Sequence, residues 1–133
     1  MSFERNHNLI PTINLEEYEL ELHYSNKSDK ILTVNFEDLK QMPRYNLVAY
    51  LSCAGNKRSY LQKEFPNIKG LKWTSGAISN ANYTGVSLRY LLIEKMGLKE
   101  ADLKGKHLVA VGYDADFQGT HYSASVPMEH VLD

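Results

Sequence analysis

The apolar residues of this chain come in short runs, each broken by polar or glycine-rich punctuation, and that pattern restricts it to short strands and short helices. Tyr18, Leu20, Leu22 and Tyr24 alternate with acidic and polar residues, the period of a strand with one buried face. The polar stretch 25–29 leads into a second apolar run over residues 31–34, so the two are predicted to pair as a hairpin. Asn35, with Asp38 three residues on, is placed to cap a short helix that Pro43 ends. Residues 45–51 read as a third strand, and residues 56–68 as a mixed stretch with a helical turn before Pro66. Residues 70–85, rich in Gly, Ser, Asn and Thr, read as mostly loop. Val86, Leu88, Leu91, Leu92 and Met96 sit at helical spacing with Gly97 as a C-terminal cap. Strands over 108–111 and 122–126 flank a turn over 114–119, and Pro127 opens a helix over 128–133. The expected class is α+β, with mixed or antiparallel sheets and short helices.

A chain of 133 residues is one domain's worth and can bury about two-thirds of its unfolded surface. No run approaches the ~20 apolar residues of a membrane span, and the polar first residues are unlike a secretory signal. The formal net charge of -1 gives no overall pull toward nucleic acid or an acidic membrane surface. Charge is nonetheless uneven. Residues 14–38 hold seven acids against two bases, whereas residues 53–73 hold Lys57, Arg58, Lys63, Lys69 and Lys72 against Glu64 alone. A positive stretch of this kind suits an anionic ligand, and it equally suits a solvated surface.

Within that stretch stands the one cysteine, Cys53, in the run Leu51-Ser52-Cys53-Ala54-Gly55-Asn56-Lys57-Arg58-Ser59. It cannot form an internal disulfide, and one cysteine is compatible with a reducing compartment. Two small residues follow it and leave room for a bulky group to approach the sulfur. Two cations come next, and positive charge favours the thiolate, the form that binds metals or attacks electrophiles. A free cysteine is also a common small core residue, so the residues alone leave both roles open. Arg58 differs from Lys57 in carrying a fork that can hold an oxyanion through two hydrogen bonds. Trp73, the only tryptophan, lies in a glycine- and serine-rich stretch, where it either covers a core edge or lines a pocket. Arg5-Asn6-His7 is an anion clamp or a frayed terminus, and Asp114 and Asp116 fit turn chemistry. His107, His121 and His130 lack zinc-type spacing, and no phosphate-cradling glycine motif is present.

Several of these pieces stand in a fixed order: Arg5-Asn6-His7, the run from Cys53 to Ser59, Gly70-Leu71-Lys72-Trp73, Gly76-Ala77-Ile78-Ser79-Asn80-Ala81, Gly85-Val86, Gly112-Tyr113-Asp114 and Gly119-Thr120. In that order and spacing, from about Phe3 to Asp133, the chain resembles the molybdopterin-binding domain of the eukaryotic sulfite oxidase family. That family includes the plant-type nitrate reductases, and the segment from Gly76 to Ala81 is more like the sulfite oxidases. The resemblance implies a molybdenum-molybdopterin cofactor with Cys53 as the one protein ligand to the metal, a soft thiolate in a sulfur-rich site. It implies that Phe3, Glu4, Arg5, Asn6 and His7 contact the pterin, with Arg5 also facing substrate, and that Asp114 is a further pterin contact. Arg58 would hold sulfite and Trp73 would shape the pocket wall. The implied activity is oxidation of sulfite to sulfate, with electrons passing to a haem domain, cytochrome c or oxygen. A homodimeric parent enzyme in the mitochondrial intermembrane space or the peroxisome follows from the same likeness. Neither nucleic acid nor membrane is an expected partner. The family usually has two arginines after the Cys-Ala-Gly-Asn core, and Lys57 keeps the charge of the first without its fork.

In the family the domain runs on, with an HGFP-type segment, a second substrate arginine, a pocket tyrosine and an immunoglobulin-like dimerisation domain. The chain is therefore expected to be a partial domain over residues 1–133, with open strands and weak retention of cofactor by itself. A nitrate reductase-type domain and a cofactor-free remnant without activity are the competing expectations.

Overall fold

The computed structural model describes residues 8–25 and 30–133. In chain order the elements are β1 (Glu19–Tyr24), β2 (Lys30–Asn35), α1 (Phe36–Gln41), β3 (Tyr45–Ser52), α2 (Arg58–Glu64) and β4 (Ile78–Gly85). There follow α3 (Leu88–Tyr90), which runs on as a π-helical turn over Leu91–Lys95, then α4 (Glu100–Leu103), β5 (His107–Ala115), β6 (His121–Pro127) and α5 (Met128–Leu132). The strands form three two-stranded sheets, β1-β2, β3-β4 and β5-β6, so the class is α+β as expected. The chain divides into two compact units: Asn46–Thr84 forms one, and residues 8–25, 30–45 and Gly85–Asp133 form the other.

The second unit holds the core. β1 and β2 are antiparallel, with Leu20 opposite Val34 and Leu22 opposite Leu32. That register gathers the alternating apolar set on one face and leaves Glu19, Glu21 and His23 on the other. Leu22 and Val34 are buried there with Leu91, Leu92, Met96, Leu98, Leu103 and Met128. The hairpin feeds α1 through a reciprocal cap: Asp38 N–H donates to Asn35 Oδ1 at 2.8 Å and Asn35 N–H donates to Asp38 Oδ2 at 3.3 Å. Helix α1 ends at Gln41, before Pro43, as the sequence predicts. Because the Asn35 side chain satisfies a helix N–H that has no partner within the helix, Asn35→Ala is expected to cost about 1 kcal/mol of stability. Chemical denaturation of the protein reads that loss directly.

The helix read over residues 86–96 is present but is not one regular helix. After Leu88–Tyr90 the Met96 N–H donates to Leu91 O at 2.9 Å, five residues back, which makes a π turn. The wide turn lets the adjacent Leu91 and Leu92 both face the core together with Met96. Gly97 then adopts the left-handed φ of +67°, and Leu98 N–H reaches back to Leu92 O at 3.1 Å, which closes the helix end. Lys30 Nζ donates to Met96 O at 3.4 Å and covers another of the terminal carbonyls. Helix α4, which the sequence reading did not separate out, buries Leu103.

In the first unit, β3 and β4 pair. Cys53 N–H donates to Ala77 O at 2.9 Å at one end, and Thr84 Oγ1 donates to Asn46 Oδ1 at 2.6 Å at the other, so the strands run antiparallel. This corrects the reading of residues 70–85 as mostly loop: Ile78–Gly85 is strand in spite of its Ser, Asn, Thr and Gly content. The helical turn expected before Pro66 is the full helix α2. Among the described residues of this unit no large apolar side chain is buried, and Leu47, Val48, Tyr50 and Leu51 are exposed on both faces of β3.

Candidate functional site

The site is built where β3 hands over to α2. Cys53 stands just past the last residue of β3, and the chain turns at once: Asn56 N–H donates to Cys53 O at 2.9 Å and Arg58 N–H to Gly55 O at 3.1 Å. Lys57 takes the left-handed conformation, φ 61° and ψ 19°, which swings the chain into α2. A non-glycine residue there is uncommon and stores backbone strain, which the neighbouring bonds must offset. Lys57 N–H donates to Thr74 O at 2.6 Å and Ser59 N–H to Trp73 O at 2.9 Å, so the start of α2 is closed by carbonyls of a second segment. Asn56 Oδ1 accepts from Ala77 N–H at 3.3 Å. Together with Cys53 N–H to Ala77 O, these bonds lace residues 53–59 to residues 71–77. The physical unit is thus the pair of segments.

At the turn, Gly55 N–H points back at Cys53 Sγ, 3.3 Å away. Cys53 is half-buried and unbridged, so its sulfur faces a backbone donor and stays within reach of a ligand. Among the described residues no three His, Cys, Asp or Glu side chains gather as a metal cage. The donor set offered to a metal is one soft thiolate, so a metal bound here must bring most of its other ligands with it. A metallated dithiolene cofactor meets that condition, and the residues present fit it.

Arg58, at the first position of α2, is half-buried and donates from Nη1 to Leu71 O at 3.3 Å. Among the described residues no carboxylate pairs with it. Its guanidinium lies against the bare backbones of Gly55 and Gly70, and Gly70 adopts φ +115°. Trp73 is half-buried beside the same turn. Lys57, Lys63, Lys69 and Lys72 are exposed, so the positive stretch of the sequence is largely a solvated face with Arg58 as its inward member. Gln62, one helical turn beyond Arg58, donates from Nε2 to Ile68 O at 2.9 Å and to Gly70 O at 3.1 Å, and clamps the loop that carries Gly70.

Asp114 belongs to the other unit. It lies in β5 rather than in the turn expected over residues 114–119; that turn is organised by Asp116, whose Oδ1 accepts from Gln118 and Thr120 N–H, both at 2.8 Å. The β5–β6 register breaks between Val111 and Ala115, and this irregularity turns Asp114 out of the ladder. Asp114 Oδ2 accepts from Asn8 Nδ2 at 2.8 Å, and a side chain on Gly112 would run into the Asp114 carboxylate. Asn8 is the residue that follows the expected pterin segment. Phe3, Glu4, Arg5, Asn6 and His7 themselves lie outside the described residues.

The structure therefore gathers Cys53, Arg58 and Trp73 around one laced turn and gives Asp114 a partner in Asn8. Gly55, Asn56 and Gly70 stand in the motifs read from the sequence, Gly55 only as room beside the sulfur and the other two without a role, whereas Gln62 and Asn8 were missed. Only Gln62 left a local trace, its spacing four residues after Arg58, which places both on one face of α2.

Residues 7–133 match the family described as oxidoreductase molybdopterin binding domain. The chain is similar to the protein named sulfite oxidase, mitochondrial, of Drosophila melanogaster, 37% identical over 131 residues that make up 98% of this chain and 22% of the relative. It is similar also to the sulfite oxidase of Gallus gallus, 36% identical over 98% of this chain and 28% of the relative. The chain spans about a quarter of the length of these curated relatives. Among solved structures, the sulfane dehydrogenase SoxCD of Paracoccus pantotrophus aligns over 92% of this chain and 28% of its own, with a TM-score of 0.64 and 31% identity. With a family match over nearly its whole length, this chain belongs to the molybdopterin-binding oxidoreductase domains of the sulfite oxidase family.

Proposed function

We propose that this chain is the part of a sulfite-oxidising molybdenum enzyme that supplies the metal's protein ligand and an arginine that holds the anion. The observation that carries the reading is the laced turn, which presents a thiolate-type ligand and a half-buried arginine from one short loop. When bound, the cofactor supplies the oxygen-atom transfer and takes up the two electrons that leave sulfite. Cys53 Sγ would be the ligand that fixes the metal to the protein. The Arg58 guanidinium would hold two sulfite oxygens through its fork and orient the sulfur lone pair, and Lys57 would add positive field. Trp73 would wall the anion on its apolar side and exclude water. Asp114, aligned by Asn8, would accept hydrogen bonds from pterin N–H groups, with Phe3, Glu4, Arg5, Asn6 and His7 as further cofactor contacts and Arg5 also facing substrate. Electrons would leave singly to a haem domain, cytochrome c or oxygen, and the enzyme would act as a homodimer.

The test is expression in a host that makes molybdopterin, followed by metal analysis and steady-state rates. Stoichiometric molybdenum in the longer enzyme that carries this chain, with turnover of sulfite well above that of nitrate or sulfane sulfur, is the expected result. Molybdenum with a preference for nitrate would replace the substrate assignment. A protein without molybdenum would make the chain a cofactor-free remnant.

A further inference from the structure

We infer that Gly55 and Gly70 are the residues that aim Arg58, and that they set oxyanion affinity by leaving room for its guanidinium against their bare backbones. The inference rests on the reading of Arg58 as the anion-holding group and adds what positions it. A Cβ built on Gly55 would fall 3.0 Å from Arg58 Nη2, 3.3 Å from Cζ and 3.5 Å from Nη1. A Cβ built on Gly70 would fall 2.6 Å from Nη1, 2.9 Å from Cζ and 3.2 Å from Nε. The two nearest approaches fall on different nitrogens of one planar group, so the guanidinium is seated against two bare backbones at once. Leu71 O, one residue beyond Gly70, takes the Nη1 hydrogen at 3.3 Å.

Helix α2 ties these contacts together. Arg58 and Gln62 stand one turn apart on it, and Gln62 Nε2 grips the carbonyls of Ile68 and Gly70. The segment that carries Gly70 is therefore docked on the same helix that carries the arginine, and the φ of +115° at Gly70 is held by that docking. A free arginine samples many rotamers and loses that freedom on binding an anion, whereas a seated one has lost it already. Gly55 and Gly70 are positioning residues, and Gln62 supports the second of them.

Gly55→Ala is the cleaner probe. Gly55 has no left-handed φ, and the three heavy atoms nearest to an added methyl all belong to the Arg58 guanidinium. Gly70→Ala adds backbone strain at its positive φ and serves as the second variant, read alongside a denaturation curve. The readouts, in the cofactor-loaded protein, are KM and kcat for sulfite and the dissociation constant of sulfate followed by fluorescence of Trp73, the only tryptophan. Gly55→Ala is expected to raise both KM and the sulfate constant by about tenfold, the order of one charge-assisted hydrogen bond, with a smaller change in kcat. In an Arg58→Met background the same substitution is expected to change neither constant, because the group it displaces is gone. If Gly55→Ala weakens sulfate equally in both backgrounds, or leaves wild-type affinity intact while Arg58→Met weakens it, the cradle is overturned and the role of Arg58 stands. If Arg58→Met alone changes neither constant, the assignment of Arg58 to the anion falls and the cradle falls with it.

Discussion

Replacing Cys53 by serine is expected to lower sulfite oxidation by more than about a hundredfold while leaving the fold in place. Loss of a residue that merely supports a metal ligand already costs about 10- to 100-fold, and Cys53 is assigned here as the ligand itself. Serine offers a hard, neutral hydroxyl where a soft anion is needed, so the electronic match to a sulfur-rich metal is lost. The protein scaffold has little reason to notice. Cys53 is only half-buried, its N–H and carbonyl bonds to Ala77 and Asn56 are backbone bonds, and Gly55 N–H can donate to Oγ as to Sγ. Stability should therefore stay within about 0.5 kcal/mol of wild type, which denaturant titration checks. Full activity in the serine protein would remove Cys53 from the metal.

The largest stability effect is expected at Leu91. It is 2% exposed and, with Val34, is one of the two largest fully buried side chains among the described residues. Truncation to alanine removes most of that burial and leaves a cavity where the β1-β2 hairpin, the π turn and α5 contribute to one core. A loss of about 2–5 kcal/mol follows from such substitutions, the upper part of the range if the site cannot collapse. The π turn argues for the upper part, because Leu91 O is also the acceptor that closes the wide turn and its backbone cannot drift freely. Leu91→Met, which nearly conserves volume, should cost less than about 1.5 kcal/mol. Equal losses in the two variants, measured by denaturant midpoint, would show that Leu91 acts through something other than cavity formation.

The two substitutions sample the parts of the chain that differ most in how far the sequence reveals them. Hairpin, capping box and terminal helix are legible because their signals are local: alternation from Tyr18 to Tyr24, Asn35 with Asp38, and Pro127 before Met128. Strand β4 is not legible, because Ser79, Asn80 and Asn82 read as loop and outweigh the strand preference of Ile78, Tyr83 and Thr84. Its pairing is held by a distant segment, β3, through contacts such as Thr84 with Asn46, 38 residues apart. The π turn is hidden for a related reason: the apolar spacing announces a helix, but which carbonyl accepts the Met96 N–H is decided by packing. At the site, Cys53 and Arg58 announce themselves by residue type. Gly55 and Gly70 do not, since a glycine's role here is to make room for an atom from elsewhere in the chain. Asp114 and Asp116 show the limit of turn chemistry, which fits either aspartate, whereas the strand irregularity selects Asp116 for the turn.

Whether Cys53 is the protein's ligand to the metal is read from X-ray absorption at the molybdenum edge of the cofactor-loaded protein and its Cys53→Ser variant. The variant is expected to keep the cofactor's own sulfurs and to lose one sulfur scatterer from the metal. An unchanged sulfur count would contradict that role of Cys53.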